Sequence, residues 1–256
     1  MSELSTIIRP AIFDEFPEIV EAQSTRLGGV SPEPFGMNLS SHVGDDPHSV
    51  AQNRELFLSS IDWPLTSQVV YQNQIHSSNI TQVNGDEVIV RESDALLTER
   101  PNVLLAVSVA DCTPVLLYDP ITKIIAAVHA GWRGTEQMIT LQTIKRMREL
   151  GAQPENIRAF IGASASGERY EVGLEVATLF DKRVIKELGN QKFLLDVKAA
   201  NLEQLHYHGI KDTNIEVSPL CTIGEPILHS FRRDGKRSGR MLAVIGRKKK
   251  YNPSLD

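Results

Sequence analysis

Between Val103 and Val128 the chain passes through three short apolar segments, Val103 to Val109, Val115 to Tyr118 and Ile124 to Val128, with almost no polar alternation. Runs this short, rich in Val, Ile, Leu and Tyr and bounded by turn residues, predict strands buried on both faces. Such strands need cover on two sides, so an open, half-solvated sheet is excluded. Asp119-Pro120-Ile121-Thr122-Lys123 lies between the last two runs and predicts an antiparallel hairpin. If Tyr118 faces Ile124, residue 113 stands opposite His129, and Cys112 meets His129 at the open end within one residue of register.

Around this hairpin the pattern alternates between helix and strand. Asp46 or Ser49 caps a helix through about Ile61, with Pro47 in its first turn, and Gln68 to Tyr71 reads as a strand. Met138, Leu141, Ile144, Met147 and Leu150 recur every three residues after Thr135 and before Gly151, a helical period. Further helices are expected at Leu174 to Leu188, stopped by Gly189, and at Val197 to about Tyr207. Strands are expected at Arg158 to Ile161, Phe193 to Leu195, Ile215 to Val217 and Met241 to Ile245. Leu27 to Phe35 and Gly36 should form a loop. The class is α+β with α/β character, a sandwich of mixed sheets, and with no repeat or long linker the 256 residues read as one domain.

The charge balance, 27 Lys and Arg against 32 Asp and Glu, is slightly acidic and offers no global attraction to nucleic acid or an anionic membrane. The basic run Arg247 to Lys250 reads as a solvated tail. Glu3, Arg9, Asp14, Glu15, Glu18 and Glu21 break up the N-terminus, and no apolar stretch approaches the roughly 20 residues of a membrane span. The expectation is a cytoplasmic protein. Two cysteines, Cys112 and Cys221, do not make a disulfide framework.

A thiol and an imidazole at the rim of a sheet can bind a metal or form a nucleophile and base pair, and Cys112 and His129 leave both open. His76, in Gln74-Ile75-His76, would complete a two-histidine, one-cysteine set, although separations of 36 and 17 residues form no compact signature. Asp111 beside Cys112 is a candidate for proton transfer. His42, His48, His206, His208 and His229 lie in polar loops or near helix ends and are expected at the surface. Gly131-Trp132-Arg133-Gly134-Thr135 leads into a helix, so Arg133 and nearby backbone N–H groups are placed to meet a phosphate, with the Arg232–Arg233 pair as a second candidate. Cys221 reads as a structural thiol. No GxGxxG or P-loop occurs.

The strings NQIHSSNI, SVADCTPVLLYD, AAVHAGWRGT, YEVG, DVKAANLEQL and SFRRDGKRSGRM, preceded by TRLGGVS, MNLSSHVGDD and NR, resemble the laccase-domain, or YfiH-like, family. They run in collinear order from about residue 24 to 245. The family includes purine nucleoside phosphorylases, and some members carry the polyphenol oxidase name. The resemblance implies a layered sandwich of mixed sheets flanked by helices, similar to a group of Cys–His hydrolases, with all of residues 1–256 in one catalytic domain.

It further implies phosphorolysis of adenosine, inosine and methylthioadenosine to the base and ribose 1-phosphate, with adenosine deaminase activity alongside. Its metal ligands, for zinc in most members and copper in some, fall on His76, Cys112 and His129. The partners implied are a purine nucleoside and phosphate, with the chain acting as a monomer or homodimer. Alternatives are a Cys–His hydrolase with Cys112 as nucleophile and His129 as base, a peptidoglycan-editing role, and copper-dependent phenol oxidation. Seven histidines with a single HxH, His206-Tyr207-His208, disfavour the last. Ser77 and Ala163 stand where the family often has Gly and Pro.

Overall fold

The structure, a computed structural model, describes residues 6–86 and 88–249, with backbone alone at Val90 and Arg91. Two six-stranded mixed sheets dominate it. The first runs Ile7–Ile8, Ile19–Ser24, Met241–Arg247, Val103–Val109, Gln68–Asn73 and Ile89–Arg91 across its width. The second runs Ile215–Val217, Arg158–Ile161, Thr113–Tyr118, Ile125–Ala130, Ala95–Thr98 and Ile80–Gln82.

The apolar runs are apolar on both faces because every face of these sheets is covered. Val70, Leu105, Val107 and Ile245 of the first sheet meet Leu96, Leu116, Ile125 and Phe160 of the second in one core between them. The outer face of the second sheet, including Leu117, Ala126 and Val128, packs on Ile144, Met147 and Leu205 from the helices Ile139–Glu149 and Val197–Tyr207. The outer face of the first, through Leu104, Ala106, Leu242 and Val244, packs on Phe57 and Leu58 of the helix Pro47–Ser60. The result is four layers, helix, sheet, sheet and helix. Fully burying each of the Val, Leu, Ile, Phe and Met side chains among them contributes about 1.5–3 kcal/mol.

The expected hairpin forms, one residue out of the sequence-based register. Tyr118 faces Ile125 and Pro114 faces His129, which leaves Cys112 just beyond the last pair, Thr113 and Ala130. The Asp119 carboxylate closes its turn by accepting the Ile121 N–H at 2.7 Å. Asp46 caps the first helix by accepting the Ser49 N–H at 2.8 Å, and Asp196 caps Val197–Tyr207 through the Ala199 N–H at 2.9 Å. The helix expected from Met138 begins at Ile139, after a separate short helix, Trp132–Glu136, because Met138 adopts a left-handed conformation.

The long helix expected at Leu174 to Leu188 does not form. In its place stand a one-turn helix, Leu174–Ala177, a 3-10 turn capped by Asp181, and the strand Ile185–Gly189. Gly189, Asn190 and Gln191 all have positive φ and turn that strand back onto Lys192–Leu195, so the glycine opens a hairpin rather than ending a helix. Glu171–Gly173 completes this third, three-stranded sheet. Of the basic run, Arg247 ends a strand and donates to the Glu99 carbonyl, while Lys250 lies outside the described residues, as does Glu3. Among the described residues no helix is long and apolar enough to cross a membrane.

Candidate metal centre

His76, Cys112 and His129 come together where the two sheets meet. One donor atom from each lies within 4.8 Å of the other two, the one such His, Cys, Asp or Glu group among the described residues. His76 follows the strand Gln68–Asn73 of the first sheet, with its backbone in the left-handed region. Cys112 sits where the chain crosses from Val103–Val109 in the first sheet to Thr113–Tyr118 in the second. His129 lies within Ile125–Ala130. Cys112 Sγ is 3.8 Å from His76 Nε2, and the two imidazoles meet edge to face at 4.9 Å. His129 is buried, Cys112 half-buried and His76 exposed, so the centre opens to solvent on the His76 side.

One carboxylate, that of Asp94, organises two of the three. Its Oδ1 accepts from His129 Nδ1 at 2.8 Å and from the His76 backbone N–H at 3.0 Å. Its Oδ2 accepts from the Ser77 N–H and hydroxyl, both at 2.7 Å. Asp94 therefore fixes the His129 tautomer, leaving Nε2 as the free ligand atom, and shapes the turn that carries His76. Burial raises the Asp94 carboxyl pKa, yet the bonds to His129 and Ser77 prevail and hold it down at about 2. No periodicity or motif pointed to Asp94; the residue precedes the strand Ala95–Thr98 and looks in the sequence like an ordinary loop aspartate.

The thiol and imidazole are electrostatically coupled. Desolvation raises the Cys112 pKa, but the charge and hydrogen bonds of His129 and His76 outweigh it and bring the thiol to about 6. Desolvation lowers that of His129, and Cys112 and Asp94 outweigh it and raise the imidazole to about 9. A thiolate is thus favoured near neutral pH, as a soft metal ligand requires.

The surroundings fit a metal. Ligand atoms on a tetrahedral zinc ion stand roughly 3.3–3.8 Å apart, so the three donors need close by only about an ångström. Gly131 keeps that space open. A Cβ there would lie 3.1 Å from both Cys112 Sγ and His76 Cδ2.

The other expected residues separate into two groups. Asp111, at φ 95°, accepts the Thr222 hydroxyl on Oδ1 and the Arg232 backbone N–H on Oδ2, both at 2.6 Å. Arg232 stacks on Tyr170 with its guanidinium 4.7 Å from the ring, and Arg133 stacks on Trp132 at 4.2 Å. Tyr170, unnoticed in the sequence although it opens the YEVG block, is the ring beneath the Arg232 guanidinium. Burial and then Cys112 and Asp111 raise its phenol pKa, while Arg232 and Arg133 lower it. Burial lowers the Arg240 guanidinium pKa, with the charges of Cys112 and Asp111 opposing it.

Arg233 does not join them. Its guanidinium donates to the carbonyls of Thr222, Glu225 and Leu228 and pairs with Asp234. The short helix bearing Arg133 is anchored by Gln204 and Asn201, which donate to the Thr135 carbonyl and hydroxyl at 2.9 Å.

Of the remaining histidines, His42, His48 and His206 are exposed and His208 is half-buried, whereas His229, expected at the surface, is fully buried. Gly239 makes room for it, since a Cβ there would lie 2.6 Å from the ring. Cys221 is a free thiol that accepts the Ser166 N–H at 3.3 Å.

Residues 20–248 match the family model described as multi-copper polyphenol oxidoreductase laccase. Among curated relatives, a purine nucleoside phosphorylase of Corynebacterium glutamicum is 42% identical over 229 residues, covering 87% of this chain and 92% of the relative. A purine nucleoside phosphorylase of Deinococcus radiodurans is 39% identical over 234 residues, 89% of each. Among solved structures, the protein YfiH of Bacillus licheniformis aligns with a TM-score of 0.90 at 29% identity, over 97% of this chain and 98% of that one. YlmD of Geobacillus stearothermophilus aligns at 0.88 and 31% identity with the same coverage.

Proposed function

The chain belongs to the family described as multi-copper polyphenol oxidoreductase laccase, and we propose that within it this protein is a metal-dependent purine nucleoside phosphorylase, acting as one catalytic unit. The substrates are adenosine, inosine and methylthioadenosine, released as base and ribose 1-phosphate, with adenosine deamination as a side activity. The observation that carries the proposal is the meeting of two imidazoles and a thiol beside arginines that no carboxylate neutralises among the described residues. The names of the relatives at 42% and 39% identity support the substrate class.

His76, Cys112 and His129 would hold the ion, zinc or copper. When bound, it supplies a Lewis acid of net charge near +1 with an open coordination position. Phosphorolysis needs a phosphate held in line with the glycosidic bond and countercharge for its oxygens. Arg133 and Arg232 take that part, each guanidinium pre-oriented by the aromatic ring beneath it. Asp111 positions Arg232 and the Cys112 turn together, and both its oxygens are engaged in doing so. Asp94 keeps His129 from presenting the wrong nitrogen. Multi-copper phenol oxidation would need further ligand groups, and among the described residues one three-donor group is found.

The test is hypoxanthine release from inosine by the metal-loaded protein. Release should require phosphate, and Cys112→Ala or His129→Ala should lose both metal and activity. Release without phosphate, or full activity in Cys112→Ala, would sink the proposal. Alkylation separates it from a Cys–His hydrolase: metal should protect the Cys112 thiol, whereas a nucleophile and base pair reacts with or without metal.

A further inference from the structure

A cavity of about 480 Å³ lies apart from the metal centre, and none of His76, Cys112, His129, Asp94, Arg133 and Arg232 lines it. Three stretches far apart in the chain enclose it. They are the loop from Ser166 to Arg169 beyond Arg158–Ile161, the start of the helix Val197–Tyr207 at Asp196 and Lys198, and the segment from Ser218 to Glu225 beyond Ile215–Val217. Its lining brings together the second thiol of the chain, Cys221, two cations, Lys198 and Arg169, and three carboxylates, Glu168, Asp196 and Glu225.

Cys221 stands where a thiolate is stabilised. An isolated parallel bridge to Ser164 fixes its backbone, and Sγ accepts the Ser166 N–H at 3.3 Å. Burial raises its pKa, but hydrogen bonds from Ser166 and from the backbone N–H groups of Gly224 and Ile223 outweigh it, and the thiol lies below its ordinary value. Lys198, only 8% exposed, lines the same cavity. Its ammonium donates to the Ser218 and Leu220 carbonyls, each at 2.8 Å, which engages two of its three protons. Among the described residues no carboxylate forms an ion pair with it, and the third proton has no acceptor. Burial lowers the Lys198 pKa, and the charge of Cys221, followed by that of Asp196, opposes the fall. A buried cation left without a carboxylate at a cavity wall calls for countercharge from whatever enters.

We propose that Cys221 is a second reactive thiol, separate from the metal centre, and that the cavity beside it takes a zwitterionic low-molecular-weight disulfide, which thiolates it by exchange. The Cys221 thiolate attacks one sulfur of R–S–S–R, a new S–S bond forms as the old one breaks, and the departing RS⁻ takes a proton from solvent. The disulfide is the oxidant: one R–S group stays on Cys221 and the other leaves reduced. The lining sets the charge of the occupant. Lys198 and Arg169 suit a carboxylate, and Glu168, Asp196 and Glu225 suit an ammonium, the two charged groups of an amino-acid disulfide. The volume lies in the small-ligand range, whereas a peroxide would need neither this space nor these charges.

The test is incubation of the metal-loaded protein at neutral pH with L-cystine or, at equal concentration, with the uncharged bis(hydroxyethyl) disulfide, followed by peptide mass mapping, which separates Cys221 from Cys112. Cystine should leave one half-cystine on Cys221, removable by dithiothreitol, at least roughly tenfold faster than on the same thiol of the urea-unfolded chain. Its rate should exceed that of the uncharged disulfide by at least roughly fivefold, after division by the same ratio for the unfolded chain. Arg169→Glu, on the exposed rim, should slow the cystine reaction by at least roughly threefold and leave the uncharged one within about twofold, while Lys198→Met should slow both. Arg169→Glu carries the test if Lys198→Met does not fold. A Cys221 no faster than in the unfolded chain, equal normalised rates for the two disulfides, or an unchanged cystine rate in folded Arg169→Glu overturns the proposal.

Discussion

The Asp94 carboxylate lies 2.8 Å from His129 Nδ1 and at the same time accepts the backbone N–H of His76, two residues separated by 53 positions in the chain. A single buried charge thus sets the orientation of the His129 imidazole and the backbone of His76. Asp94→Asn keeps the shape but halves the acceptor capacity and removes the charge. It should weaken metal affinity by roughly 10–100-fold. Competition with a chromogenic chelator measures this, and wild-type affinity in a folded Asp94→Asn protein would contradict the role.

Gly131 has no side chain where Cys112 and His76 converge. Gly131→Ala places a methyl group 3.1 Å from both and should lower metal occupancy, while the apo protein unfolds within about 1 kcal/mol of wild type. Metal content after dialysis and denaturant unfolding of the apo forms separate these effects. Equal occupancy would show that the ligands move aside freely.

Asp111 joins the Cys112 turn to Arg232. Asp111→Asn tolerates the same left-handed backbone but weakens a charge-assisted acceptor. Its phosphate KM should rise roughly tenfold with metal content unchanged. Initial rates across phosphate concentrations decide it; a pure loss of kcat with an unchanged phosphate KM would assign the carboxylate to proton transfer instead.

Glu21 is buried in the first sheet, with Arg9 Nη1 3.8 Å away and Asp14 and Glu216 also acting on it. Burial, only partly offset by Arg9, raises its carboxyl pKa from 4.5 to about 7. Between those values the folded state keeps a proton that the unfolded state has released, so stability falls as pH rises from about 4.5 to 7. Glu21→Gln should flatten that fall and exceed wild type above pH 7 by on the order of 2 kcal/mol. Urea unfolding at pH 5 and pH 8 checks it, and parallel pH profiles would refute it.

What was legible in the sequence followed from local rules. Continuous apolar runs and the Asp119 turn gave the hairpin, and the hairpin brought Cys112 to His129 within one residue of register. The helix cap at Asp46 was equally local. Gly189 was ambiguous, since a glycine after an apolar stretch ends a helix or opens a hairpin, and its pairing partner, Lys192–Leu195, decided between them. His229 is buried because Gly239, ten residues away, leaves space for its ring. Asp94 and Tyr170 act through groups far along the chain, so no spacing announced them. Arg232 and Arg233 are neighbours in sequence, yet one stacks on Tyr170 and the other is held by carbonyls.

The crossing at residues 110–112, where the chain leaves one sheet for the other, places His76 on one side of the sandwich and His129 on the other. Neither sheet alone contains the full set of donors. Until the two sheets dock, the chain therefore holds no complete set of the three donors. An ion held by His76, Cys112 and His129 would clasp the two sheets, so that pulling the layers apart would require breaking a ligand bond as well as emptying the core. Slow unfolding and slow metal release should then be one event seen by two probes.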